Sequence, residues 1–499
     1  MPMWLGIDVG TGGSRALLVD ERGAVRAGFT APHEEMIMAR PMWAEQNPEN
    51  WWDAVVASIR GVLAESGVKG DAIKGVGLSG QMHGLVILDQ AGSVIRPSLI
   101  WCDQRSQQQV DFVNQKVGRE KILAYTANPV LTGFTLPKLL WVRDNEPANF
   151  DRVRKMLLPK DYVRYRLTGR FASEVSDASG TSLFDVVNRR WSWEMMDALE
   201  LDRDLLPDCY ESSDITGRIS AKAAELTGLA VGTPVVGGGG DQAASAVGNG
   251  IVEEGIVSCT IGTSGVVFAH MEKVAYDPAG RVHTFCHAVR EKWHVMGVTQ
   301  GAGLSLQWLR NQLFPGVSYD ALTAEAATSV AGAQGLFWLP YLMGERTPHL
   351  DATIRGGWFG LTAKHTRADL IRAVIEGVSY SLRDCLEIVE GLGVPVKSVR
   401  ASGGGAKSEF WRGLLSSIFD RRVVTLETQE GSAYGAALLA LVGTGAYSSV
   451  PEVCRAAIRE TASVEPNPAD ASHYGKAHRV YQSMYPALKP ISTAIADLG

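Results

Sequence analysis

Two short stretches, half the chain apart, carry turn chemistry suited to a polyanion. Ile7-Asp8-Val9 runs into Gly10-Thr11-Gly12-Gly13-Ser14, and Cys259-Thr260-Ile261 runs into Gly262-Thr263-Ser264-Gly265; a second apolar run follows each. Both read as a strand, a tight Gly-Thr turn and a returning strand. Backbone N–H groups in such turns point inward and form anion-binding concavities. Thr11, Ser14, Thr263 and Ser264 add hydroxyl donors, while Gly12 and Gly262 let a phosphate approach the backbone. Asp8 sets a carboxylate beside the first turn. Alone it would repel phosphate, so its natural companion is Mg²⁺ between the two, directly or through water. Either turn alone is an ordinary hairpin; the pair together with Asp8 points to phosphate binding.

Other residues have two readings each. The cluster Gly403-Gly404-Gly405-Ala406 follows the strand-like run from Val396 to Arg400. At a strand's carboxyl end it would let a planar base or ribose lie against bare backbone, or it is a plain turn. Asp241 ends the run Val235-Val236-Gly237-Gly238-Gly239-Gly240. Its glycines leave room for a substrate beside the carboxylate, yet the same aspartate could cap the helix that follows. Asp103 could accept from two hydroxyls or pair with Arg105 on the surface. Glu345 and Arg346 read most simply as a salt bridge within a loop, and Trp51, Trp52 and Trp141 as apolar helix faces in the core.

Some chemistry is excluded. Gly75-Val76-Gly77-Leu78-Ser79-Gly80 has dinucleotide-fingerprint spacing, but no strand is expected to lead into it and Gln81-Met82-His83-Gly84 follows instead of a helix. The Gly475-Lys476 pair is followed by alanine, so a P-loop is absent. A net charge of −6 argues against a nucleic-acid partner or an acidic membrane surface. The start of the chain reads as a strand without a basic, apolar leader, and no run of eighteen apolar residues appears. Six scattered cysteines with no C-x-x-C pair fit a reducing cytoplasm.

The elements that must position these residues are of α/β type. At 499 residues, two or more domains are expected. Asn47-Pro48 starts a helix that carries Trp51, Trp52, Val55 and Ile59 and stops at Gly67. Thr366 with Asp369 is a capping-box pattern for a helix running toward Gly391. The repeated hairpin predicts two duplicated domains across a cleft, residues 1–248 and 249–499, with the boundary near 248–255.

At this point the residues become recognisable: the chain resembles the FGGY carbohydrate kinases. Gly133-Phe134-Thr135-Leu136-Pro137-Lys138-Leu139-Leu140-Trp141-Val142-Arg143-Asp144-Asn145 fits the family's first signature, and the stretch from Gly356 through Trp358, Gly360, Leu361, Asp369, Leu370, Ala373 and Glu376 fits its second. The resemblance implies two actin- and Hsp70-like (ribonuclease H-like) ATPase domains. The first would hold the sugar and the first phosphate hairpin, the second the other hairpin and the adenosine. It implies ATP as co-substrate with Mg²⁺, and Asp241 as general base. Gly80-Gln81-Met82-His83-Gly84 looks like the sugar-binding motif of the D-xylulose branch, with Met82 and His83 on the ketose. Trp101-Cys102-Asp103-Gln104-Arg105 matches the family's W-x-D-x-R element beside the sugar. Leu158-Pro159-Lys160-Asp161-Tyr162 and Gly344-Glu345-Arg346-Thr347-Pro348-His349 are similar to stretches typical of that branch. Where many of its members have Asp-Asn, this chain has Asp241-Gln242, which keeps an amide but puts one hydroxyl contact in doubt. The expected activity is phosphorylation of D-xylulose. Ribulose, L-xylulose, ribitol and glycerol are the neighbouring alternatives, and an ATP-driven binding module is the more distant one. A homodimer is implied by the family alone.

Overall fold

The two Gly-Thr hairpins open two sheets built to one plan. The computed structural model describes residues 1–499 apart from Gln429, Asp497 and Gly499. The first sheet contains β1 (Met3–Val9), β2 (Gly13–Asp20), β3 (Val25–Pro32), β4 (Ile73–Gly80), β5 (Ile215–Arg218), β6 (Pro234–Val236) and the short β7 (Gly239–Gly240). The second contains β8 (Gly255–Ile261), β9 (Gly265–Met271), β10 (His283–Cys286), β11 (Trp293–Thr299), β12 (Val396–Ser402), β13 (Arg422–Leu426) and β14 (Glu460–Val464). The order is β5-β6-β4-β1-β2-β3, with β7 beside β4, and β10-β11-β9-β8-β12-β13-β14. In each sheet an antiparallel meander (β1-β2-β3; β8-β9-β11) takes a parallel strand against its first member, β4 on β1 and β12 on β8. The turns match as well: Gly10 N donates to Gly13 O at 3.0 Å, and Gly262 N to Ser264 O at 3.0 Å.

Helix ends follow local chemistry. α1 (Pro48–Ser66) is capped by Asn47, whose side chain accepts from Glu49 N, and stops at Gly67 in the left-handed region. Trp51 and Trp52 are buried on its inner face. α2 (Asp241–Gly248) starts without a side-chain cap, because the cap position is Gly240. α3 (Arg367–Gly391) has the reciprocal Thr366–Asp369 box. α4 (Gly431–Gly443) and α5 (Pro468–Ala496) come from the later part of the chain.

α4 crosses back onto the first sheet, and glycine makes this close approach feasible. A Cβ on Gly6 of β1 would lie 1.9 Å from Ala433 O, one on Gly77 of β4 1.9 Å from Ala436 O, and one on Gly435 1.7 Å from Ala244 O of α2. Trp4 Nε1 donates to Thr444 Oγ1 at 2.7 Å, and the Tyr434 hydroxyl to Gly23 O at 2.9 Å. The spacing at 75–80 is thereby explained. Contrary to the expectation that no strand leads into it, the segment lies within β4, and its glycines serve helix-on-sheet packing instead of a phosphate loop. Among the described residues, no helix is long and apolar enough to cross a membrane.

This packing gives opposite outcomes for two glycines. Gly435→Ala overpacks the α2–α4 contact and is expected to lower stability by about 1–3 kcal/mol. Gly475 in α5 has open space where a Cβ would go, so Gly475→Ala should raise stability by up to about 1 kcal/mol. Denaturant midpoints check both; equal shifts would contradict the contact geometry.

Candidate active site

Register places two carboxylates at the carboxyl ends of β1 and β7, the two parallel strands that flank β4. Asp8 of β1 lies opposite Ser79 of β4, and Ser79 lies opposite Gly239 of β7, two residues before Asp241. Asp241 is the first residue of α2, after Gly240 at the cap position, so it is not the cap residue of the alternative reading. Burial, followed by the charge of Asp8, pushes its carboxyl up to about 7, against hydrogen bonds from Gln242. Burial also raises Asp8, against the neighbouring Ser432 and Ser79 hydroxyls. Asp8 Oδ1 is buried without a hydrogen-bond partner among the described residues. Ser432 lies in the first turn of α4, so the helix-dipole field also favours charge on Asp8. An orphaned carboxylate oxygen beside a phosphate turn is the donor a hard cation satisfies, so these residues fit Mg²⁺.

His83 is held as a neutral acceptor. Its backbone is left-handed, φ 67°, a conformation that costs a non-glycine residue about 1–3 kcal/mol. Two donors to its carbonyl hold it there: Lys138 Nζ at 2.8 Å and Thr135 Oγ1 at 3.2 Å. Burial, helped by Lys138 and Arg346, pulls the imidazole down to about 3. Nδ1 lies 2.8 Å from Gly180 O. A carbonyl only accepts, so Nδ1 carries the proton and Nε2 is left to accept from a hydroxyl. The ring stacks on Phe134 at 4.5 Å and meets Phe285 of β10 at 6.2 Å, so the second sheet's edge strand packs against this imidazole. Met82 packs against Gly240, where a Cβ would lie 2.9 Å from its Cγ.

The two Gly-Thr turns differ in their surroundings. Gln46 Nε2 donates to Thr11 O at 2.7 Å and Trp101 Nε1 to Thr11 Oγ1 at 3.0 Å, bracing the first turn. At the second turn Gly303 N of helix Ala302–Leu313 donates to Gly262 O at 2.7 Å. Gly262, Thr263, Gly404 and Gly405 line one cavity of about 760 Å³, together with Gln307, Arg310 and Tyr319. A cavity of this size, with a phosphate turn at one end and bare glycine backbone on its wall, has room for a nucleoside.

Several sequence expectations need correction. Ser14 is fully buried behind the first turn with its hydroxyl on His33 Nε2 at 2.9 Å, so it does not face the cleft. Gly403 and Ala406 do not line the cavity: Gly403 backs onto Ile261 O, and Ala406 is buried. Asp103 is not on the surface. It is fully buried, accepting from Ala44 N at 2.6 Å and from Arg105 Nη2 at 2.7 Å, so in this conformation it anchors Arg105. Among the described residues no ion pair joins Glu345 to Arg346. The Glu345 carboxylate takes Thr299 Oγ1 at 2.5 Å and the backbone N–H groups of Gln300 and Arg346. Trp51 and Trp52 are core, as expected, whereas Trp141 is only partly buried, with Arg105 4.9 Å from its ring. Sequence reasoning missed Lys138, whose only signal was its place in the first signature. Its ammonium is fully buried and pulled down to about 7 by that burial.

Residues 3–248 match the N-terminal domain model of the FGGY family of carbohydrate kinases, and residues 257–444 match its C-terminal domain model. A xylulose kinase of Bacillus subtilis is 38% identical over 491 residues, 98% of each chain. One from Escherichia coli is 39% identical over 493 residues, covering 98% of this chain and 100% of its own. The crystal structure of a xylulose kinase from Brucella ovis superposes with a TM-score of 0.93 at 37% identity, covering 98% of this chain and 100% of that one.

The state of His83 can be measured directly. Nitrogen-15 NMR should show a neutral ring protonated at Nδ1 throughout about pH 5–8, whereas a midpoint near the free-histidine value of about 6.5 would contradict the buried geometry.

Proposed function

Because the chain belongs to the FGGY family of carbohydrate kinases, we propose that it transfers the γ-phosphoryl group of ATP to D-xylulose, giving D-xylulose 5-phosphate. The relatives' names support the substrate, with near-complete coverage at 38–39% identity. The observation that carries the chemistry is Asp241, a carboxylate at the end of a glycine run, raised to about 7 beside Asp8.

In this reading the chain divides into a sugar-binding part, 1–248, and an adenosine-binding part, 249–499. The cavity at Gly404 and Gly405 takes the adenosine, and the turns at Thr11 and Thr263 take the phosphates. Asp8 would hold Mg²⁺, which when bound supplies positive charge against the phosphate oxygens. His83 Nε2 accepts from one sugar hydroxyl, Gln242 contacts another, and Met82 packs against the carbon skeleton. Asp241 takes the proton of the attacking hydroxyl as the new O–P bond forms and the bond from the γ-phosphorus to the bridging oxygen breaks, releasing ADP. Positioning and charge stabilisation do the rest, because phosphoryl transfer demands little covalent work of the protein. Closure of the two halves would keep water from replacing the sugar as acceptor.

The base must be deprotonated to act. Activity should rise with pH through about 7, the value to which Asp241 is raised, and Asp241→Asn should lower kcat by about 10²–10⁴-fold. The same substitution removes a desolvated charge facing Asp8, so the thermal midpoint near pH 8 should rise. Coupled ADP release with MgATP across pentuloses, polyols and glycerol tests the substrate. Preference for D-xylulose is expected. Preference for another sugar would overturn the inference from Met82 and His83, and release without any sugar dependence would overturn the kinase reading.

A further inference from the structure

Behind the glycine run lies a cluster of ionisable side chains that the chemistry above does not use. Lys160, Asp161, Arg164, Glu174 and Asp177 are all fully buried. Lys160 Nζ lies 2.7 Å from Asp161, 3.3 Å from Glu174 and 3.2 Å from Asp177. Arg164 pairs with Asp161 at 2.7 Å and also donates to Gly237 O. Burial pushes the Asp177 carboxyl well above its ordinary range.

Burying ions costs several kcal/mol each, and well-packed apolar residues often serve stability as well or better. The hydrogen bonds leaving this cluster show what else it does. Glu174 Oε1 accepts from Ser176 Oγ at 3.0 Å, and Ser176 Oγ in turn accepts from Gly240 N at 3.1 Å. Gly240 is the residue immediately before Asp241. Ser176 N and Ser212 Oγ complete the Glu174 carboxylate at 2.8 and 2.9 Å, so the serine hydroxyl is firmly oriented. Four residues on, Gly180 O fixes the proton on His83 Nδ1. One short segment thus touches both the base-bearing loop and the sugar-facing imidazole.

We propose that Ser176, oriented by Glu174 and Lys160, is a positioning residue that holds the Gly240–Asp241 backbone so that the Asp241 carboxylate stays beside Asp8 and in reach of the sugar hydroxyl. This rests on the reading of Asp241 as the base. Without the Ser176 hydroxyl, Gly240 N–H loses its acceptor, the end of β7 shifts, and Asp241 moves out of reach of the sugar hydroxyl.

The test compares the full-length parent with Ser176→Ala, Ser176→Thr and Asp241→Asn for kcat, KM for D-xylulose and for ATP, and the thermal midpoint. Ser176→Ala should lower kcat by about 10- to 100-fold, the cost of a small misplacement, with KM for ATP unchanged and KM for D-xylulose changed far less than kcat. Ser176→Thr, which keeps the hydroxyl, should restore kcat. Parental kcat in Ser176→Ala would overturn the proposal. So would a loss that Ser176→Thr does not restore and that follows the thermal midpoint alone. Parental kcat in Asp241→Asn would instead contradict the base reading, whatever Ser176 does.

Discussion

Two carboxylates share a buried corner where the glycine-rich ends of neighbouring strands meet, and the rest of the molecule accommodates that unfavourable arrangement. Asp8 and Asp241 are each raised by burial, and Asp8 raises Asp241 further. Such a pair is costly unless something cationic or polar faces it. The Ser79 and Ser432 hydroxyls and the first turn of α4 face Asp8, and the Gln242 side chain faces Asp241. Among the described residues Asp8 Oδ1 and Ser79 Oγ are still left without a hydrogen-bond partner. The corner thus suits a cation-bound polyanion and, in the function proposed, a base poised near neutral pH.

Glycine makes the corner by taking up no space. Gly240 admits Met82, Gly180 admits His83, and Gly6, Gly77 and Gly435 let backbone meet backbone where α4 returns to the first sheet. A helix from the later part of the chain thereby brings Ser432 to Asp8. On the other side, β10 of the second sheet is bound to the first half: Asn128 exchanges two hydrogen bonds with the Thr284 backbone, at 2.7 and 3.1 Å. The surroundings of His83 are consequently assembled from both halves.

Much of this was legible in the residues, for local reasons. The two Gly-Thr turns, the Asn47 and Thr366 caps, the stop at Gly67 and the strand into Gly403 depend on side chains within a few positions, and each is found. What escaped depended on partners far along the chain. Nothing near Gly75–Gly80 announces that Ala436 will press on it, nor does anything near Ser14 announce His33. Asp103 and Arg105 read as a surface pair because their neighbours are polar, yet Glu45 and Trp43 enclose them. Glu345 and Arg346 invite pairing by adjacency, but the backbone of Gln300 reaches the carboxylate first. The cluster around Lys160 and Glu174 was equally hidden, since its members lie up to 17 positions apart and meet only through folding.

The coupling of the two carboxylates is the central claim, and it can be read without turnover. Carbon-13 NMR of the aspartate carboxyls in the ligand-free protein should show Asp241 titrating near 7, the value set by its burial and by Asp8. In Asp8→Asn that midpoint should fall yet stay above the ordinary aspartate value of about 3.9, because burial is the larger cause. An Asp241 that titrates near 3.9 in the parent, or whose midpoint ignores the loss of Asp8, would contradict the account.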